Sequence, residues 1–161
     1  METITLTPIG VIHTPFKQPK GTPIQPRRAG GAEGTIEILP EFVEGLADLD
    51  GFSHIVLLYH FHLSTGYRLK VVPFLDDCER GLFATRAPRR PNPIGLSVVR
   101  LDHIEGNVLF IRDVDMVDGT PLLDIKPYVP DFDDAGDIRI GWLEGRAHRS
   151  NDTQADTRFE D

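Results

Sequence analysis

The chain has 161 residues, of which 40% are hydrophobic and 26% charged, with a net charge of −8. That length gives one domain with a real core, and the acidic balance argues against a protein that coats nucleic acid indiscriminately. No apolar run approaches the roughly 20 residues of a membrane-spanning helix, and the single cysteine, Cys78, excludes an internal disulfide framework.

Taken in chain order, the signals are mostly β. METITLTPIG at the start lacks the basic and apolar regions of a secretory leader, so the cytoplasm is the expected location. Residues 3–12 are rich in Thr and Ile and read as a first strand. GGAEG resembles a nucleotide loop, but the strand-like TIEIL follows it where a phosphate loop needs a helix; a turn into a strand is the better reading. Residues 34–39 alternate as a half-buried strand does. PEFVEGLADLDG places Phe42, Val43, Leu46 and Leu49 at helical spacing between Pro40 and Gly51, which predicts a short helix.

Phe52 to Leu63 is a long apolar and aromatic run, read as a central strand. His54, His60 and His62 share its parity. Three imidazoles on one face hint at metal, but no carboxylate or cysteine completes a ligand set. A core role for His54 and a ligand-lining role for His62 are the favoured readings. Apolar runs at 97–105 and 107–113, joined by Glu105-Gly106-Asn107, predict a hairpin. Residues 138–143 predict a last strand. The total, about six to eight strands and one or two short helices, predicts a mainly β, single-domain, antiparallel barrel-like fold over residues 1–144. Residues 145–161 read as a polar, flexible tail.

Charge is segregated along this frame. From Gly81 to Leu101 there are four arginines and no acid; from Asp131 to Asp161 there are nine acids and four arginines. The segment FATRAPRRPNPIG concentrates the basic side. Pro91 and Pro93 fix their own φ and hold Arg90 and Asn92 extended. Adjacent arginines without acidic neighbours favour an anion site over a loop stiffened for stability alone. In RDVDMVDGTP, Asp113 and Asp115 share a face at a strand end, and Asp118 either closes a turn or serves a ligand. Tyr128, beside Pro127, either stacks on a base or packs.

Four segments together, IGVIHTPF, GFSHIVLLYHFH, GLFATRAPRRPNPIGLSVVRL and DVDMVDGTPLLDIKPYVP, resemble the TrmO family, also called TsaA-like or YaeB-like, over residues 7–132. The resemblance implies a β barrel, an S-adenosylmethionine (SAM) cofactor, and a homodimer with cofactor sites near the subunit interface. It also implies N6 methylation of threonylcarbamoyladenosine beside the tRNA anticodon. Carried over by motif, the cofactor residues are Pro23, Ile24, Gln25, His62, Leu63, Arg86, Leu96, Arg112, Asp113, Val114 and Asp115. Ile24 stands where the family often has a basic residue. Some family members carry an extra C-terminal domain that helps hold tRNA, where this chain has a short acidic tail.

Within that frame, Asn92 is the expected polarising group for the target amine, with Asp118 and Asp124 as proton acceptors or base-orienting groups and Tyr128 as a stacking platform. Arg89, Arg90 and Lys126 are the expected substrate contacts. The rival readings are a non-catalytic nucleotide- or SAM-binding barrel, a methyltransferase with another substrate, and, with less support, a metal enzyme built on the histidines.

Overall fold

A computed structural model describes residues 2–25, 29–133, 136, 138–147 and 153–159. Six strands close into an antiparallel barrel in the order β1 (Gly10–His13), β2 (Glu33–Ile38), β7 (Val108–Arg112), β6 (Ile94–Glu105), β3 (His54–His60) and β8 (Thr120–Pro127). β8 closes it onto β1, pairing Leu122 with Gly10. A separate two-stranded ribbon, β4 (Lys70–Val71) with β5 (Arg80–Gly81), stands beside the barrel.

Alternation drives the closure. Ile55, Leu57 and Tyr59 of β3 point inward while His54, Val56, Leu58 and His60 point out. Val99 and Leu101 of β6 meet them, with Ile12, Ile36, Ile38, Leu109, Ile111 and Leu122 filling the rest of the interior. The hairpin expected at Glu105-Gly106-Asn107 joins β6 to β7; Gly106 takes φ +60° there, a region costly for other residues. GGAEG is the expected turn into β2, with Gly30 and Gly31 both at positive φ.

Several expectations change. The first strand begins only at Gly10: Pro8 has no N–H to donate, and residues 2–8 are exposed. The predicted helix is two 3-10 turns, Pro40–Leu46 and Leu49–Gly51, because Asp48 between them is left-handed at φ 64°. Residues 138–143 pair with no strand; Gly141 at φ 54° bends them into a 3-10 turn. β8, not singled out as a strand in the sequence, completes the barrel. A one-turn helix, α1 (Pro130–Asp133), follows it.

The C-terminal segment is not a loose tail where it is described. Gly21 N–H donates to the Ala155 carbonyl and Ala155 N–H to Thr22. Phe159 sits edge-on to Phe74 at 5.0 Å and packs on a small second core of Val71, Leu82 and Ala87. Trp142 Nε1–H donates to the Ala84 carbonyl at 2.8 Å, and Arg80 lies over its ring. These contacts hold residues 141–147 and 153–159 against the β4–β5 ribbon and the loops beside it. Burial of the aromatic rings, invisible in a polar composition, accounts for the difference.

Candidate functional site

Between the barrel and that second core lies an open cleft of about 1100 Å³, slightly above the roughly 300–1,000 Å³ of typical small-molecule sites. The end of β3 and the turn after it contribute Tyr59, Phe61, His62 and Leu63. The start of β6 gives Ile94, Gly95 and Leu96, and the β7–β8 connection gives Asp115, Met116 and Val117. Pro23, Ile24 and Gln25 form one rim, and Phe83 to Pro88 another. Trp142, Leu143 and Phe159 close the far wall.

The polar groups at the floor form one chain. Ser97 Oγ–H donates to Asp115 Oδ1 at 2.7 Å. Ser97 has one hydroxyl hydrogen, so the 3.0 Å contact with Tyr59 is a Tyr59 O–H donating to Ser97 Oγ. Tyr59 and Ser97 are buried. Burial pushes the Asp115 carboxyl up to about 7, against the opposing pull of the Ser97 hydrogen bond and the Arg86 charge. Burial and the nearby Asp115 likewise raise the Tyr59 phenol. Arg86, exposed at the rim, donates from Nη1 to Gln25 Oε1 at 2.9 Å. His62 is held below the ordinary imidazole value by desolvation first and by His60 second, which favours its neutral form.

The structure therefore gathers Pro23, Ile24, Gln25, His62, Leu63, Arg86, Leu96 and Asp115 around one space. It does not gather the rest. Strand β7 ends at Arg112, whose guanidinium turns to Asp102 and Glu33 on the outer surface. Asp113 takes φ 65° and accepts from Gly31 N–H, and Val114 is fully buried in the core. The chain enters the cleft only at Asp115 and stays there through Val117. The expected window was displaced by that left-handed residue.

The proposed catalytic set is dispersed. Asp118 braces the first turn: it accepts from Thr14 N–H at 3.0 Å and from Lys17 Nζ at 2.7 Å, and these bonds hold its carboxyl below the usual range. Asp124 pairs with Lys126 Nζ at 2.8 Å on β8. Neither they nor Lys126 line the cleft. Tyr128 packs against His54 at the opposite end of β3, with ring centroids 6.5 Å apart. Asn92 is exposed and outside the lining; its carbonyl accepts from Ile94 N–H, and neighbouring Pro93 accepts from Phe61 N–H.

The arginines resolve the question of the basic loop. Arg90 Nη1 reaches the carbonyls of Thr85 at 3.0 Å, Ala87 at 3.2 Å and Leu82 at 3.5 Å. Its charge is met by backbone oxygens inside the loop, partners that sequence neighbours cannot reveal. Arg89 Nε donates to the Thr65 carbonyl. Arg90 also borders the cleft, but of the three loop arginines it is Arg86 whose hydrogen bond there goes to a side chain, Gln25. The histidines diverge: His54 is half-buried at the barrel surface on Ser53 Oγ, not in the core. His60 lies six residues along, about 20 Å at strand rise.

Sequence reading missed Tyr59 and Ser97. The signal was available: Ser97 is the polar residue at an inward position of β6, between Gly95 and Val99. The aromatic wall from Trp142 and Phe159 carried no local signal.

A small closed barrel with a lateral cleft, pairing a rim guanidinium and a recessed carboxyl with aromatic walls, defines a binder of a charged, ring-bearing small molecule. Residues 11–134 match the family model of the tRNA-methyltransferase O N-terminal domain, and the chain belongs to that family. A protein of Pyrococcus abyssi named "Probable S-adenosyl-L-methionine-binding protein" is 57% identical over 97% of this chain and 85% of its own length. The mouse tRNA (adenine(37)-N6)-methyltransferase is 37% identical over 83% of this chain, which spans only 32% of that enzyme. The crystal structure of TrmO from Pseudomonas aeruginosa superposes with a TM-score of 0.74 at 43% identity. It covers 88% of this chain, and this chain covers 63% of it.

Proposed function

We propose that the protein is a SAM-dependent methyltransferase acting on N6 of adenosine 37 in tRNA, with the threonylcarbamoyl-bearing adenosine as its substrate. The observation that carries this reading is the cleft: the family's cofactor residues Pro23, Gln25, His62, Arg86 and Leu96 line it together with Asp115. The donor set fits SAM. Arg86, backed by Gln25, is a match for the carboxylate of the amino-acid part. Asp115 is an acid placed to meet a cation, and Phe61, Ile94 and Leu96 offer an apolar surface to a nucleoside.

SAM, when bound, supplies an activated methyl group on a sulfonium. The protein's part is then to hold and align two reactants and to exclude water. Phe83, 75% exposed at the rim, is available to stack on an incoming base. A homodimer fits the outer face of β3 and β6, where Leu58 faces Leu96, Val56 faces Val98 and His60 faces Ile94. Leu96 and Ile94 are 51% and 39% exposed, and both also line the cleft, so a second copy seated there would reach the site. A tRNA substrate goes with a cytoplasmic location, and no described helix is long and apolar enough to cross a membrane.

The test is mass spectrometry of nucleosides after incubation with SAM and tRNA, with and without the threonylcarbamoyl group. N6-methylated threonylcarbamoyladenosine at position 37 is the expected product. SAM that binds but is never converted to S-adenosylhomocysteine (SAH) with any tRNA would leave the binding-module reading instead. Sedimentation of the purified protein tests the dimer.

A further inference from the structure

We propose that Asp115 is the proton acceptor of the transfer, held in place by the Ser97–Tyr59 hydrogen-bond chain behind it. The inference rests on the methyltransferase reading above. An amine that gains a methyl group must lose a proton, and the acceptor must border the space where the reactants meet. Among the described residues two carboxylates line the cleft. Asp156 is exposed on the C-terminal segment; Asp115 is recessed at the floor. The other acids from β7 through β8 turn elsewhere: Asp113 accepts from Gly31 N–H, and Asp118 and Asp124 pair with Lys17 and Lys126.

The surroundings of Asp115 suit the task. Among the described residues three polar or charged groups face it: Tyr59 from β3, Ser97 from β6 and Arg86 from the loop after β5. Ser97 fixes one carboxyl oxygen at 2.7 Å, and Tyr59 fixes Ser97 in turn. Burial keeps the Tyr59 phenol protonated, so it has an O–H to donate to Ser97. Burial also sets the Asp115 carboxyl at about 7, close to the pH at which a general base combines availability with proton affinity.

The charge balance is the stronger argument. As the N–C bond forms, the amine N–H bond breaks and its proton passes to a carboxyl oxygen of Asp115. The S–C bond breaks with its electron pair left on sulfur. With SAM held beside it, the Asp115 carboxylate would become a carboxylic acid as the sulfonium becomes a neutral thioether. No unpaired charge would then be left against the buried Ser97 and Tyr59, where it would be costly. The same coupling makes SAM binding release a proton from Asp115 and SAH binding release fewer.

The experiment has two arms. Calorimetry near pH 7 in two buffers of different ionisation heat measures protons released by SAM and by SAH. Release with SAM exceeding that with SAH, and lost in Asp115→Asn, is expected; equal release with both ligands, or release unchanged in Asp115→Asn, overturns the coupling. Single-turnover transfer to threonylcarbamoylated tRNA is then followed against pH. The wild-type rate should fall on the acid side. Asp115→Asn should lose about two orders of magnitude and the pH dependence with it. Ser97→Ala should keep a pH dependence but move its midpoint upward, because a bond favouring the ionised form is gone. Asp115→Asn transferring within about threefold of a working wild type overturns the assignment and leaves the function standing. A wild type that methylates no tRNA overturns both.

Discussion

Gly95 on β6 lies directly across from Tyr59 on β3, and the Tyr59 ring fills the space that a side chain at Gly95 would need. The ring at the cleft floor is therefore admitted by a glycine on the neighbouring strand. Gly95→Ala is expected to push the ring off its seat, at about 1–3 kcal/mol of stability, the usual range for overpacking. The displaced phenol also loses Ser97, so cofactor affinity should fall together with stability. Denaturant unfolding and calorimetry on the same variant check both; unchanged stability would mean that the ring has room to move.

Asp115 makes folding stability depend on pH with a defined sign. Its folded-state carboxyl binds a proton more tightly than it would in the unfolded chain, where it titrates near 3.9. Its contribution is fully present below that value and is lost as pH rises toward about 7. The loss is at most about 1.4 kcal/mol for each pH unit crossed, less to the extent that solvent reaches the group. Asp115→Asn carries no such charge. Relative to wild type, the variant should gain stability steadily between about pH 4 and 7 and level off above, as urea unfolding at several pH values would show.

Arg86 and Arg90, four residues apart in one loop, should separate cleanly by phenotype. Arg90 is spent on three backbone carbonyls, while Arg86 reaches only Gln25 among its hydrogen-bond partners. Hydrogen bonds to charged groups contribute about 1.5–3 kcal/mol. Arg86→Ala should cost SAM affinity by roughly tenfold to a hundredfold and leave the melting temperature near wild type. Arg90→Ala should lower the melting temperature by several degrees, since about 1 kcal/mol shifts a domain of this size by roughly 2–4 °C. Both losses in both variants would show that the loop acts as one unit.

The barrel was legible because its signals are local. Parity along β3 and β6, a Gly106 turn and alternating burial are written within a dozen residues. The cleft was legible only in part. Gln25, His62 and Arg86 come from motifs, but the roles of Asp118 and Arg90 depend on partners their own motifs do not name. Asp118 meets Lys17 across 101 positions, and Arg90 meets carbonyls, which no side-chain pattern encodes. Asp113 shows a third limit: a single left-handed residue rotates the chain, so that Arg112 faces out and Asp115 faces in.

The C-terminal segment gives the last prediction. The match to the family model ends at residue 134, yet Trp142, Leu143 and Phe159 form a wall of the cleft. The anchor is Phe159, held against Phe74 and the second core of Val71, Leu82 and Ala87. That core is small, so removing one ring takes away much of what holds the segment down. Phe159→Ala should cost about 1–2 kcal/mol of docking, part of what a fully buried aromatic contributes. The barrel core, which Phe159 does not touch, should keep its protection in hydrogen exchange, while the amides of Gly21 and Ala155 exchange faster because their mutual pairing depends on the docked segment. SAM affinity should drop by severalfold as the wall opens. Unchanged exchange at Ala155 would show that its pairing with Gly21 and Thr22 alone holds the segment, and unchanged affinity would show that the wall does not contact the ligand.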